Sequence, residues 1–464
     1  QAYPWARTPN IDQLAKEGIR FAPSYIGTWC MPSRATLLTG HYQHAVQSMR
    51  MEGTYPGSTY DPQQCPFWPK VFREHGYCTA QIGKWHTGTD TGYGRDWDYQ
   101  IVWNRPRFPE NSTNYYYDQI LTINGGEPKV VPGYSTDNYT RWAAEFIRGE
   151  HRDPNKPWYL WLCYGAAHGP YTPADRHLND YPGAKIPDPA DLYPKRPGKP
   201  DYAQKMETWV KGPAGEPVLK AAEGGKRNAT KTLSDWVRQY QQCVNGLDEG
   251  IAQVMKALNE SGQRENTLVV MTSDQGFAWG QHGFRHKLAP YDANIASPMI
   301  FSMPGTLPQG AVCDVPLSGA DLVPTFFSFA GIPLPWEMHG HDVTPLLKDP
   351  KAAWPHATLL TFTGATYGDE TRQIPSPSER YHQIPWYVLL RQGKYKYIRT
   401  FEPGEIEELY DIENDPEELD NLALAASSRD ELLKYRNKAR AELRRTKAPM
   451  VGHLPPVGER ISRD

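Results

Sequence analysis

The run Trp158-Tyr159-Leu160-Trp161-Leu162 decides the fold class. Five consecutive apolar residues, without the polar alternation of a half-exposed strand, read as a strand buried on both faces of a parallel sheet. A second run, Leu268-Val269-Val270-Met271, has the same texture. Each follows a helix-like segment, Trp142 to Arg148 before the first and Trp236 to Asn259 before the second. That alternation is the rhythm of a doubly wound α/β fold. Chemistry in such folds gathers beyond the carboxyl ends of the strands. His168 and Asp274 stand there, just downstream of the two runs.

Outward from these strands, Pro9 to Gly18 reads as a helix, with Ile11 and Leu14 three apart and Gly18 as its stop. Thr89 to Pro132 (rich in Gly, Asn, Tyr and Trp) and Tyr171 to Lys231 (rich in Pro, Lys and Gly) break the rhythm. Both read as long loops, which in a compact domain are usually functional. Near Asp349 to Pro355 the texture changes. Trp386 to Leu390 and Tyr395 to Arg399 are short strands around Gln392-Gly393, a hairpin signal, and a charged helix runs from about Ser428 to Arg445. The expected organisation is a large α/β domain over residues 1–350 and a smaller α+β unit over 351–464, a small antiparallel sheet with a helix.

At 464 residues the chain exceeds the size at which one core stops growing. Its 50 Lys+Arg against 53 Asp+Glu, with no long run of one sign, argue against a nucleic-acid partner. No apolar run approaches the ~18 residues of a membrane span. The cysteines Cys30, Cys65, Cys78, Cys163, Cys243 and Cys313 lack metal-type spacing and imply no disulfide framework. Sequons start at Asn111, Asn138, Asn228 and Asn259, a number that chance supplies in so long a chain.

Four blocks carry chemistry. Cys30-Met31-Pro32-Ser33-Arg34 leads into Leu38-Thr39-Gly40, and Gly76-Tyr77-Cys78-Thr79 runs on to Gly83-Lys84-Trp85-His86. Tyr164 to Pro170 holds His168 before a proline. Thr272-Ser273-Asp274-Gln275-Gly276 precedes Gly280-Gln281-His282-Gly283, Lys287 and Tyr291. Alone, each lysine reads as a surface residue and each histidine as a hydrogen-bonded structural one. In this order the blocks resemble the signatures of the type I sulfatases of the alkaline phosphatase superfamily. The tail Glu408-Leu409-Tyr410-Asp411 is also similar to that family's.

The resemblance implies a large, mixed or mostly parallel sheet sandwiched by helices. It implies that Cys30 is oxidised after translation to formylglycine, by a formylglycine-generating or anaerobic sulfatase-maturating enzyme, and that its hydrated aldehyde is the nucleophile. Lys84 and Lys287 would contact sulfate oxygens, and Arg34, one helical turn past Cys30, would brace the formylglycine hydroxyls. His86 would take the proton when sulfate is expelled, and His168 would protonate the departing alcohol. Asp274 and Gln275 resemble two ligands of a calcium ion. His282 and His286 stand close to the site as candidates for substrate contact, as do Trp97, Trp103 and Arg105, although the Trp97, Trp103 and Tyr115-Tyr116-Tyr117 cluster reads first as packing of its own loop. A sulfated carbohydrate is the favoured substrate and a periplasmic or extracellular location is expected, with no signal peptide visible. The alternatives are a phosphonate or phosphodiester hydrolase of the same superfamily and a non-catalytic, sulfoglycan-binding pseudosulfatase.

The chain departs from the family upstream. The family's first strand and its two adjacent aspartates, further calcium ligands, are expected upstream of Gln1 and are absent from this sequence. One Asp with one Gln makes a poor calcium site. A truncated N-terminus is the expected reason. Loss of a central strand would leave its neighbours with unpaired edges. A second departure is Ala296, where the family often has Arg in a structural ion pair.

Overall fold

The computed structural model describes residues 3–52, 57–112, 114–220 and 230–458. The elements that position the site are, in chain order, α1 (Pro9–Lys16), β1 (Ile19–Phe21), α2 (Cys30–Thr39) and β2 (Cys78–Lys84). Then come β3 (Tyr99–Trp103), β4 (Tyr117–Ile123), β5 (Lys129–Tyr134), α3 (Ser135–Arg148) and β6 (Trp158–Cys163). The long α4 (Leu233–Glu260) leads to β7 (Val269–Thr272), β8 (Met299–Ser302), β9 (Ala311–Cys313) and α5 (Gly319–Ala330). The C-terminal unit holds β10 (Thr358–Phe362), β11 (Tyr387–Gln392), β12 (Tyr395–Thr400), β13 (Glu408–Asp411) and α6 (Arg429–Arg445).

The fold is α/β with a mixed sheet. β2 pairs in parallel with β3 on one side and β6 on the other, and β4 and β5 extend the sheet antiparallel in the order β5-β4-β3-β2-β6. A second set runs β7-β8-β1-β9, of which only β1 and β9 are parallel. Alternate strand residues face opposite helix layers, as the two-residue period requires. Ile82, Ile101 and Leu160 pack with Tyr139, Phe146 and Trp236 of α3 and α4. Tyr159 and Trp161 turn instead toward clusters holding Leu38 of α2 and Phe327 of α5.

One large sheet was expected in the first domain, and β1 to β9 form two. The edges of β6 and β7 pair with nothing beyond β2 and β8 respectively among the described residues. They border a slot of about 650 Å³ lined by Tyr159, Trp161, Leu268, Val270, Leu322 and Phe326.

The stretch Thr89 to Pro132 holds β3, β4 and the start of β5, not a loop. Its Tyr, Trp, Ile and Val residues are good strand formers, and pairing with β2 outweighs the turn residues between them. The described part of the expected second loop, 171–220 and 230–231, is irregular apart from a 3-10 turn at Asp175–His177, a short helix at Asp201–Gln204 and a hairpin of Trp209–Lys211 with Pro217–Leu219. Asn228 lies outside the described residues, whereas Asn111 is buried with its amide bonded to the Ile120 backbone.

The C-terminal sheet is antiparallel in the order β10-β11-β12-β13, turning at Gly393 between β11 and β12. Gly393 has φ +56°, a left-handed conformation that glycine adopts without strain. Leu360, Phe362, Tyr387 and Tyr410 share one apolar core with Met31, Ala35 and Tyr291, so this sheet braces the helix that begins at Cys30. Among the described residues no helix is long and apolar enough to cross a membrane.

Candidate active site

Cys30 is the first residue of α2 and is buried. The helix is held on all sides, nine of its ten residues being buried, and ends at Gly40 in the left-handed conformation. Lys84 closes β2, and its Nζ lies 3.3 Å from Cys30 Sγ. Lys287 arrives from the segment after β7, with Nζ 3.0 Å from the same sulfur. Burial alone would push the Cys30 thiol up; Lys287 and Lys84, with His168 and His86, hold it well below its ordinary value.

The turn after β2 explains why His86 reaches the sulfur. Gly83 has φ +105°, and a Cβ there would meet the Cys163 carbonyl oxygen at 2.1 Å. Glycine therefore lets β2 and β6 approach closely, and His86 follows at φ +57°, strained for a non-glycine residue. Both its ring nitrogens are buried without a hydrogen bond among the described residues, and Cys30 and Lys84 are its neighbours. Burial lowers its pKa to about 3 against the pull of Cys30. His168 follows β6. Its Nδ1 is 2.7 Å from the Gly169 carbonyl, which assigns the proton to Nδ1 and leaves Nε2 for Cys30. Its ring stacks on Tyr115, centroids 4.1 Å apart, and burial, then Lys84 and Lys287, lower its pKa to about 4 against Cys30.

Arg34 is buried, but its bonds among the described residues go elsewhere than Cys30. Nη1 donates to the Lys84 carbonyl at 2.8 Å and Nη2 to Asp274 Oδ2 at 3.0 Å. It thereby ties the helix of the candidate nucleophile to the ends of β2 and β7. Gln275 Nε2 stands 4.0 Å from Cys30 Sγ, and its Oε1 is buried without a partner among the described residues. That orphaned oxygen beside a carboxylate has the chemistry of a calcium ligand pair, yet calcium takes 6–8 oxygens. The two further aspartates expected upstream of Gln1 are not in this sequence, and Gln1 itself lies outside the described residues. The three-residue group of metal-binding type among the described residues, Glu145, Glu150 and His151, lies on and just beyond α3, not here. The described residues do not make a calcium site by themselves.

Several candidates for substrate contact are placed otherwise. Trp97 and Trp103 are fully buried. Trp97 packs on Trp85, Tyr159 and Trp161, and Trp103 packs on Tyr115 while its indole donates to the Asn114 carbonyl. Their large apolar area was legible in the sequence; the sheet face that takes it up was not. His282 is also internal: its Nδ1 is 2.6 Å from Asp191 and its ring packs on Tyr291. His286 turns its Nδ1 to the Lys287 carbonyl, packs on Phe284 and is held down to a pKa of about 4 by burial. Arg105 lies 3.4 Å from the Tyr115 hydroxyl, on the His86 side.

A cleft of about 920 Å³ includes Arg34, Lys84, His168, Asp274, Gln275 and Lys287. It continues past Tyr171, Trp236 and Phe277 to Lys231 and Arg285, a wall the sequence reading did not single out. Five of its lining side chains are Lys or Arg and one is a carboxylate, so the cleft suits a polyanion.

The sulfatase family pattern matches residues 1–332, and that of the N-sulphoglucosamine sulphohydrolase C-terminal region matches 280–446. The chain belongs to the sulfatase family. It is a sulfuric-ester hydrolase by that membership. This sulfatase is 28% identical to an N-acetylglucosamine-6-O-sulfatase of Bacteroides thetaiotaomicron, over 90% of this chain and 78% of the relative. It is 25% identical to an ulvan-active sulfatase of Formosa agariphila, over 90% and 73%. A solved structure in complex with its substrate D-glucosamine-2-N,6-O-disulfate superposes with TM-score 0.79 at 25% identity, covering 96% and 95% of the two chains. A phosphonate monoester hydrolase of Agrobacterium radiobacter shares the fold, with TM-score 0.70 at 21% identity over 96% and 92%.

Proposed function

We propose that this sulfatase hydrolyses sulfate esters of saccharides at Cys30, after its conversion to formylglycine. The observation that carries the reading is the pair of ammonium groups 3.0 and 3.3 Å from Cys30 Sγ, with the buried His86 and the half-buried His168 facing the same atom. Formylglycine, once formed, supplies a hydrated aldehyde whose hydroxyl is the nucleophile. Lys84 and Lys287 bind the sulfate oxygens and stabilise the charge that builds on them. His168 holds the proton for the leaving alcohol. Burial, then Lys84 and Lys287, hold the His168 pKa down, so an anion that neutralises the lysines raises its proton affinity when an acid is needed. His86, neutral and on the β2 side, takes the proton at the position of the Cys30 side chain. Arg34 positions the Lys84 backbone and Asp274. Asp274 and Gln275 would contribute two oxygens to a calcium ion whose remaining ligands these residues do not supply.

The saccharide reading draws on the named substrates of the relatives and on the cationic, aromatic-walled cleft. Mass spectrometry of the peptide spanning residue 30 tests the modification, since replacing CH2SH by CHO lowers the mass by about 18 Da. An unmodified thiol from a host with a maturation enzyme would remove the nucleophile. Cys30→Ala is expected to lower sulfate-ester turnover at least ~10⁴-fold with an unchanged melting temperature. Parallel assays of aryl sulfate and phosphodiester substrates separate the phosphonate-type alternative, which a higher kcat/KM on the diester would favour.

A further inference from the structure

The cleft carries more positive charge than one sulfate ester requires. Beyond Lys84 and Lys287, Lys231 Nζ sits 3.7 Å from the centroid of the Trp236 indole, and Arg285 Cζ sits 4.2 Å from the same centroid. Two cations share one aromatic ring. Lys231 donates to Gln239 Oε1, and its other two N–H groups have no partner among the described residues. Asp235, the carboxylate among the described residues that acts on Lys231, is occupied by Thr232 in the helix cap and by Arg238. Arg285 is in addition 5.9 Å from the Trp279 ring, so both cations lie along an aromatic wall that Tyr171 and Phe277 continue.

We propose that Lys231 and Arg285, stacked on Trp236 in the same cleft as Cys30, form a second anion subsite. It binds a sulfate or carboxylate group carried by the saccharide whose ester is hydrolysed at Cys30. The inference rests on the saccharide reading given above and narrows it to polyanionic sugars. The physical reason is the repulsion held there: burial, then Arg285 and Arg238, lower the Lys231 pKa to about 8 against Asp235. An anion between the two cations relieves that repulsion and restores the charge lost from solvent. At about 920 Å³ the cleft is near the upper end of the ~300–1,000 Å³ range of small-molecule sites, room for more than the reacting sugar.

The test uses the full chain carrying Cys30→Ala, so that binding is read without turnover. Calorimetric titrations compare matched pairs of sugars with one anionic group and with two: glucosamine 6-O-sulfate against its 2-N,6-O-disulfate, and galactose and uronate-containing disaccharide pairs. At least one pair is expected to show a preference of ~10-fold or more for the second anion. Lys231→Met and Arg285→Met should each reduce that preference to within about threefold, and Lys231→Arg should retain it. No preference in any pair, or a preference that survives both Met variants, overturns the subsite. Should the converted enzyme cleave no sulfate ester while the preference persists and depends on Lys231, the catalytic reading falls and the subsite stands.

Discussion

Two clusters of charge in this molecule are built in opposite ways. The cleft gathers Arg34, Lys84 and Lys287, joined by Lys231 and Arg285, with Asp274 as the one carboxylate among its lining residues. The seam between the catalytic part and the C-terminal sheet sets Lys199, Lys396 and Arg391 against Asp292, Glu408 and Glu418. Lys396 is fully buried and lies 2.6 Å from both Asp292 and Glu418. Lys199 donates to the Tyr410 hydroxyl at 2.8 Å and stacks on Tyr291 and Tyr410. The balanced cluster is closed and holds three segments together. The cleft cluster, with five cations to one carboxylate among its described lining residues, is open to an anion from outside. Buried charges are tolerated when paired, so an excess of one sign in a cleft points to a ligand of the other sign. Asp292 also bears on the Ala296 departure: its partners come from β11 and β12, with no arginine needed at 296.

Breaking the closed cluster should have the largest effect on stability. Lys396→Met leaves Asp292 and Glu418 facing each other in the interior, and a loss of about 3–5 kcal/mol is expected from urea unfolding. A loss under about 1 kcal/mol, the scale of an exposed pair, would mean that the seam is wetter than the structure places it.

In the open cluster the same kind of substitution should act on rate instead. Lys84→Ala and Lys287→Ala are each expected to lower kcat by about 10²–10³-fold. Their melting temperatures should hold or rise, because each removes a like charge from beside the other. A fall in stability comparable to that of Lys396→Met would erase the contrast.

The cleft histidines make the comparison pH-dependent. His86 and His168 have folded pKa values lowered to about 3 and about 4, from an ordinary 6.5. Below pH 6.5 the unfolded chain takes up protons that the folded chain refuses. Stability is therefore full above 6.5 and falls as pH drops toward 4, by up to ~1.4 kcal/mol per pH unit for each histidine. Urea midpoints at about pH 7.5 and 5.0, on either side of the ordinary histidine value, check this, and a His168→Asn variant should show a shallower decline. An equal slope would take His168 out of the account.

The smallest effect concerns the slot. Slot-facing amides of β6 and β7 should exchange hydrogen at least ~10²-fold faster than those of β2, which is paired on both sides. Slow exchange there would mean that the slot is filled in solution.

Much of the site was legible because its chemistry is local. Cys30 with Arg34, Lys84 with His86, and His168 each sit in a short segment that resembles a signature of the family, and the structure brings Cys30, Lys84, His86, His168 and Lys287 around one sulfur. His282 was not legible, and for Trp97 and Trp103 packing was the first of two readings, because an aromatic or histidine looks the same from the sequence whether it faces a cleft or a core. The strands within Thr89 to Pro132 were hidden by turn residues until β2 gave them a partner.

The sequence by itself determined the fold class, from apolar runs too short for helices and too uniform for half-exposed strands, and it determined the short segments that carry the candidate site. Only the tertiary structure decided which cations are balanced and which face an open cleft. Charge balance is a property of distances between segments remote in the chain: Lys396 meets Asp292 across 104 positions, and Lys287 meets Cys30 across 257. No local pattern records those separations. Packing sets them, and with them the difference between a charge that holds the fold and a charge that waits for a substrate.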